Sequence, residues 1–110
     1  MDVNKLSNQM IYGKILNLYK DENGKIDWFG VFCHPNLPLS FVDKFFHQLH
    51  PFGIESTFQL DDKFIIKWSE YLNWYKLLKT QNLSMEILEK FAYKFNQNPS
   101  YWILILKYQK

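Results

Sequence analysis

The most reactive side chains of the sequence lie close together, at Cys33, His34, His47 and His50. Cysteine and histidine are the ligands that zinc prefers, and a cysteine thiolate beside an imidazole can act as a nucleophile. The spacing matches no zinc-site pattern, and about ten helical residues at about 1.5 Å each would separate Cys33 from His47 by about 15 Å. Adjacent residues on a helix also point apart, which separates Cys33 from His34. We therefore expect neither a metal site nor a thiol nucleophile.

Asp61 and Asp62 are adjacent carboxylates, and paired carboxylates can serve in acid–base catalysis. Asp61 lies where a helix N-cap is expected, and Asp62 lies in the first turn, where the helix dipole favours an acidic residue. The sequence contains no glycine-rich phosphate loop, Walker pattern or nucleophile elbow. These observations predict a non-enzymatic protein that uses no cofactor.

The composition indicates a small globular protein. Its 110 residues are 47 % hydrophobic and 19 % aromatic, enough for a modest core. The net charge is +2 and all 13 basic residues are lysine, so the planar arginine fork that reads phosphate or guanine is missing. A single cysteine, no signal-peptide pattern and only short apolar runs predict a cytoplasmic protein without membrane association.

Three consecutive segments of 23 residues, 27–49, 50–72 and 73–95, align without a gap. The matching positions are Leu37, Leu60 and Leu83; Phe41, Phe64 and Ile87; Val42, Ile65 and Leu88; Lys44, Lys67 and Lys90; and Phe45, Trp68 and Phe91. A degenerate copy covers 4–26, and a partial copy covers 101–110 after the insertion 96–100. Such self-similarity is typical of repeat architectures, and we predict one repeat domain over 1–110.

The apolar spacing within a segment predicts helices. Leu83, Ile87, Phe91 and Phe95 recur every fourth residue, which places them on one face of an α-helix. A shorter helix of about two turns, beginning near Trp74, precedes this one. Neither helix can bury its apolar face alone, so the sequence predicts an all-α solenoid of stacked helix pairs.

The N-terminal stretch 10–32 allows a second interpretation. Asn23 and Gly24 lie between two apolar runs, which is a common signal for a β-hairpin. The stretch could therefore be helical or could form a hairpin, and the sequence leaves both alternatives open.

The third segment resembles a short helical repeat of giant DNA virus and phage proteins, with the pattern W…Q-x-L-S-x-E-x-L-E-K-F. The matching residues are Trp74, Gln81, Leu83, Ser84, Glu86, Leu88, Lys90 and Phe91, followed by Trp102, Tyr108 and Gln109. The first segment departs from the pattern at Pro35 and Pro38, and the second lacks the leading tryptophan. The resemblance implies a helical-repeat fold and a viral or phage origin, and it carries no catalytic residues.

One lysine per segment, at Lys44, Lys67 and Lys90, would form a ridge along a solenoid. Such a ridge could meet an acidic protein or a phosphate backbone, or it could be a solvated surface balanced by acids such as Glu86. We predict a protein–protein interaction module, and the resemblance implies that it binds or inhibits a host protein in the host cytoplasm. The alternative is a nucleic-acid-binding protein that uses the lysines.

The partial C-terminal copy carries five consecutive apolar residues, Trp102 to Leu106, which surround a helical turn on every side. One side is expected to pack against the third segment. We predict that the other side, at Ile103 and Leu104, is covered by a partner protein, by a second copy of the chain, or by the N-terminal segment 6–18.

Overall fold

The computed structural model describes the backbone of residues 3–109 and the side chains of residues 8–109. Within these residues the chain forms α-helices and two 3-10 helices, His50–Phe52 and Ile54–Ser56, and no strand. The α-helices are α1 (Val3–Leu18), α2 (Trp28–Phe32), α3 (Leu39–Lys44), α4 (Phe46–Leu49), α5 (Asp62–Trp68), α6 (Trp74–Thr80), α7 (Met85–Lys90), α8 (Ala92–Gln97) and α9 (Ser100–Tyr108). The predicted all-α class is confirmed. The degenerate copy predicted over 4–26 begins with side chains that lie outside the described residues.

Four helices begin at a polar residue that caps the first turn, because its side-chain oxygen accepts a hydrogen bond from the backbone N–H three residues on. The caps are Asp27, Asp61, Asn73 and Ser84, with distances of 2.8–3.2 Å. The predicted cap at Asp61 and the first-turn position of Asp62 are both confirmed. Pro38 lies at the cap position of α3 and makes no side-chain cap bond.

The predicted second helix of each segment is interrupted at the aromatic column. Phe91, with φ −105° and ψ 14°, separates α7 from α8, and Phe45, with φ −110° and ψ 32°, separates α3 from α4. These angles lie near the bridge region, in which the helical hydrogen-bond ladder breaks. The helix α5 ends at Trp68. Phe91 is buried, whereas Phe45 and Trp68 are only partly buried.

The chain divides into two compact units, Met1–Phe52 and Gly53–Lys110. The boundary falls inside the predicted segment 50–72. In the first unit the largest fully buried side chains include Phe41, Phe46 and Leu49. The ring of Tyr12, on α1, meets Phe41 edge to face at a centroid distance of 5.3 Å, which ties α1 to this core.

The second unit buries the apolar stripe that the spacing predicts. Phe95, Ile87 and Leu77 are fully buried, and the Trp74 ring lies 5.9 Å from the Phe95 ring. Glu55 is also buried, and its Oε2 accepts a hydrogen bond of 2.6 Å from the backbone N–H of Asn73 at the start of α6. A buried carboxylate thus holds the beginning of this helix.

The possible hairpin in 10–32 forms only a single antiparallel bridge, between Lys20 and Ile26. Gly24 takes φ 82°, the left-handed conformation that a tight turn requires. Asp21 Oδ1 accepts from the backbone N–H groups of Asn23 and Lys25, both at 2.9 Å. No strand extends from this turn in the described part of the chain, because α1 continues to Leu18 and α2 begins at Trp28.

Candidate interaction surface on helix α9

A buried glutamine links the end of α6 to the loop before α5. Gln81 Nε2 donates to the carbonyl oxygens of Glu55 at 2.9 Å and Phe58 at 2.7 Å. Its Oε1 accepts from the backbone N–H of Leu60 at 3.2 Å. One amide therefore makes hydrogen bonds with three backbone groups of an irregular segment. The Glu55 carbonyl oxygen also accepts from Thr80 Oγ1 at 2.8 Å.

Gln109 makes the same three bonds one segment later. Its Nε2 donates to the carbonyl oxygens of Leu78 and Gln81, and its Oε1 accepts from the N–H of Leu83, each at 2.8 Å. Each backbone partner lies 23 residues after its counterpart around Gln81. The two glutamines are 28 residues apart because the insertion 96–100 adds five. We call these two arrangements the glutamine brackets.

Neither preceding segment can form this bracket, because the column of Gln81 holds Pro35 and Phe58, which carry no side-chain amide. The viral and phage repeat pattern that the third segment resembles includes this glutamine, yet the sequence by itself assigned it no role. Its role depends on acceptors 23 to 31 residues away.

The brackets make α9 the counterpart of α6, so their residues can be compared column by column. Leu78, near the end of α6, is fully buried at 0 %, whereas its counterpart Leu106 is 85 % exposed. Trp74 is 5 % exposed and its counterpart Trp102 is 38 % exposed. The same apolar pattern is therefore covered in one helix and open in the other.

The inner side of α9 packs against α6 and α8. The ring of Tyr101 lies 4.7 Å from that of Tyr75, and Trp102 meets Phe95 edge to face at 5.7 Å. Burial raises the pKa of Tyr101, and the nearby Tyr75 hydroxyl raises it further. Trp102 Nε1 also donates to Asn96 Oδ1 at 3.1 Å. These contacts fix the orientation of α9.

The outer side of α9 presents Ile103, at 64 % exposed, together with Leu106. Leu104 is half-buried, so it contributes less to this surface than the sequence suggested. Leu106 was not among the predicted site residues, although its column match to Leu78 was visible in the alignment. We define the α9 outer face as Ile103 and Leu106.

The three predicted lysines are exposed, and each lies in the last turn of its helix. A positive charge there is favoured by the helix dipole. Lys44 Nζ lies 5.8 Å from the Tyr12 ring centroid, and Lys67 Nζ lies 5.1 Å from that of Trp68. Lys44 and Lys67 thus each interact with the dipole of their own helix and with a nearby aromatic ring.

The residues singled out for reactivity lie apart from this surface in the sequence. Cys33 is exposed, and His34 Nδ1 shares a 2.8 Å hydrogen bond with the hydroxyl of Tyr19. No group of three or more His, Cys, Asp or Glu side chains that could hold a metal ion occurs among the described residues. Within the same residues, no helix has the length and hydropathy needed to cross a bilayer.

Comparison of the chain with known protein families, with curated proteins and with solved structures finds no match. The resemblance to viral and phage repeats therefore rests on the quoted residues alone.

Proposed function

We propose that this chain is a non-enzymatic helical-repeat module, built as a short solenoid of helix pairs, that binds another protein through the α9 outer face. The recurrence of the glutamine bracket at the 23-residue offset supports the solenoid. The single observation that carries the binding role is the 85 % exposure of Leu106 in a column where Leu78 is fully buried. Large contiguous apolar patches that are exposed on a protein usually mark interaction sites.

The partner we propose presents an amphipathic helix. The counterpart surface on α6 is covered by helices, since α9 packs on it and the rings of Phe91 and Phe95 contact Trp74. A helix laid on the α9 outer face would bury Leu106 as its counterpart Leu78 is buried, and it would also cover the neighbouring Ile103. Burying each side chain contributes about 1.5–3 kcal/mol, enough to make these two residues the centre of the interface.

The test uses the double variant Ile103→Lys/Leu106→Lys, with Ile66→Lys as the matched control. Ile66 is an exposed aliphatic residue of α5 in the same unit, at 43 %. A partner captured by the unaltered protein should be lost by the double variant and retained by the control. Sedimentation of the purified proteins then distinguishes a second copy from a different partner. Equal capture by all three proteins, with no change in self-association, would refute the proposal.

The resemblance to viral and phage repeats supports a more specific version of this function. In it, the protein is encoded by a virus or phage and binds or inhibits a host protein in the host cytoplasm. Capture from host lysate, with the Ile103→Lys/Leu106→Lys variant as the reference, tests this version. This version is refuted if the unaltered protein and the Ile103→Lys/Leu106→Lys variant capture the same host proteins.

The exposure of all three lysines favours a second candidate, nucleic-acid binding. If each contacts one phosphate, the logarithm of the binding constant should fall with the logarithm of salt concentration with a slope of about −2 to −3. Replacing Lys44, Lys67 and Lys90 by glutamate should abolish that binding. The absence of binding by the unaltered protein at low salt would remove this candidate.

A further inference from the structure

A cavity of about 450 Å³ opens on the surface of the first unit, outside the α9 outer face and the lysines. Its size lies within the range of small-ligand sites. Four aromatic side chains and two carboxylates contribute to its lining. They are Tyr19, Trp28, Phe29, Phe52, Asp21 and Asp27.

The aromatic rings of the cavity are held in place and remain accessible. Phe29 and Phe52 are 58 % and 37 % exposed, and their centroids lie 5.4 Å apart in an edge-to-face arrangement. The Trp28 ring packs 5.6 Å from that of Phe45. The hydroxyl of Tyr19 is tied to His34. These contacts hold the aromatic side chains that line the cavity in defined positions.

The two carboxylates are also positioned by the backbone. Asp21 Oδ1 accepts both turn N–H groups described above, and Asp27 Oδ1 accepts from Gly30 N at 3.2 Å. A carboxylate has two oxygens, so Oδ2 of each aspartate can accept from, or attract, a further group. Asp27 Oδ2 lies 2.8 Å from the position that a Cβ on Gly30 would take, and Tyr19 Cδ1 lies 2.7 Å from it. Glycine at position 30 therefore lets both the ring of Tyr19 and the carboxylate of Asp27 approach the backbone closely.

The charge of the lining favours a cation. Two aspartates and one lysine, Lys25, border the cavity, which leaves a formal charge of −1. The faces of aromatic rings also attract cations, through their quadrupole. Methylated ammonium ions suit such a site because their methyl groups contact ring faces and they need no hydrogen-bond acceptors for their charge.

From this combination we infer that the cavity binds a quaternary ammonium group. The ring faces contact the methyl groups, and the carboxylates of Asp21 and Asp27 supply the opposite charge. This site is independent of the proposed protein-binding surface, because it lies on the first unit and uses none of the α9 residues.

The direct test is a titration with choline, followed through the indole N–H signal of Trp28 by NMR. The chain has 4 tryptophans, and a Trp28→Phe variant assigns the signal. The matched control ligand is 3,3-dimethyl-1-butanol, which replaces the charged nitrogen of choline by carbon and keeps its shape. Choline should bind with a dissociation constant at least about tenfold lower than that of the neutral analogue.

Matched variants test the contribution of the carboxylate charges to binding without removing the hydrogen bonds that the two side chains make to the backbone. Asp21→Asn and Asp27→Asn keep the cap acceptors, because asparagine caps turns and helices about as well as aspartate. Their combination should weaken choline binding about tenfold and leave the alcohol unaffected, whereas Lys25→Gln should strengthen choline binding. Phe29→Leu keeps an apolar side chain without the ring and should also weaken it.

Equal affinity for choline and its neutral analogue would overturn the inference, and so would a Trp28 signal that choline does not shift. Tighter binding of unmethylated butylamine than of choline would reassign the site to primary ammonium groups. Free trimethyllysine distinguishes the source of the ligand. Tighter binding of this amino acid than of choline points to a methylated side chain, and the reverse points to a small molecule.

Discussion

Replacing Gln81 by methionine should lower the free energy of unfolding of the second unit by about 2–6 kcal/mol. Methionine has nearly the same length and volume but no amide, so the change removes the glutamine bracket and little else. The buried N–H of Leu60 loses its acceptor, at a cost of about 1–3 kcal/mol. Each of the two carbonyl oxygens loses one hydrogen bond, worth about 0.5–1.5 kcal/mol.

The assay is urea unfolding, monitored by far-ultraviolet circular dichroism, combined with amide hydrogen exchange. Exchange at Leu60 reports the bracket directly, and this N–H should lose its protection in the Gln81→Met variant. Gln97→Met is the control, because Gln97 is exposed on α8 and its replacement should change stability by less than about 0.5 kcal/mol.

Two results would refute the reasoning. One is a Gln81→Met variant whose stability differs from that of the unaltered protein by no more than the Gln97→Met control does. The other is unchanged exchange at Leu60, which would mean that the bracket does not protect this N–H in solution.

Three further outcomes follow from burial and from one pKa. Leu78→Ala should cost about 2–5 kcal/mol in urea unfolding, whereas Leu106→Ala should cost less than about 0.5 kcal/mol; similar values would contradict the exposure of α9. Phe91→Ala should cost about 3–5 kcal/mol, and Phe45→Ala should cost less because its ring is only partly buried. The pKa of Tyr101 is raised above 10.0 in the folded state, so its contribution to stability is full below pH 10.0 and is lost as the pH rises through the raised value. Between about pH 9 and about pH 11 the urea midpoint should therefore fall less for the Tyr101→Phe variant than for the unaltered protein. An identical fall in the two proteins would count against this assignment.

The buried apolar stripe and the helix cap show what the local sequence pattern predicts correctly. The spacing of Leu83, Ile87, Phe91 and Phe95 predicted one buried stripe, and all four side chains are buried. The sequence also predicted Asp61 as a helix N-cap, which the structure confirms. Both features depend on groups within a few residues of each other, so the sequence determines them without knowledge of distant contacts.

The breaks at Phe45 and Phe91 were not predictable in the same way. The apolar spacing continues through both residues, and nothing in the local composition ends a helix there. The hairpin at Asn23 and Gly24 shows the converse, since a good turn signal produced only the bridge between Lys20 and Ile26. In both places the local sequence preference alone does not determine the backbone conformation.

Sequence alone determined the repeat columns, including the match of Gln109 to Gln81 and of Leu106 to Leu78. The tertiary structure determined which hydrogen bonds the matched glutamines make and which of the matched leucines is buried. The amides of the two glutamines find backbone partners 21 to 31 residues away, and Leu78 is covered where Leu106 is not. Residue type sets the free energy that burial or a hydrogen bond can contribute. Whether that contribution is realised depends on which distant segment lies against the side chain, and only the folded chain determines that.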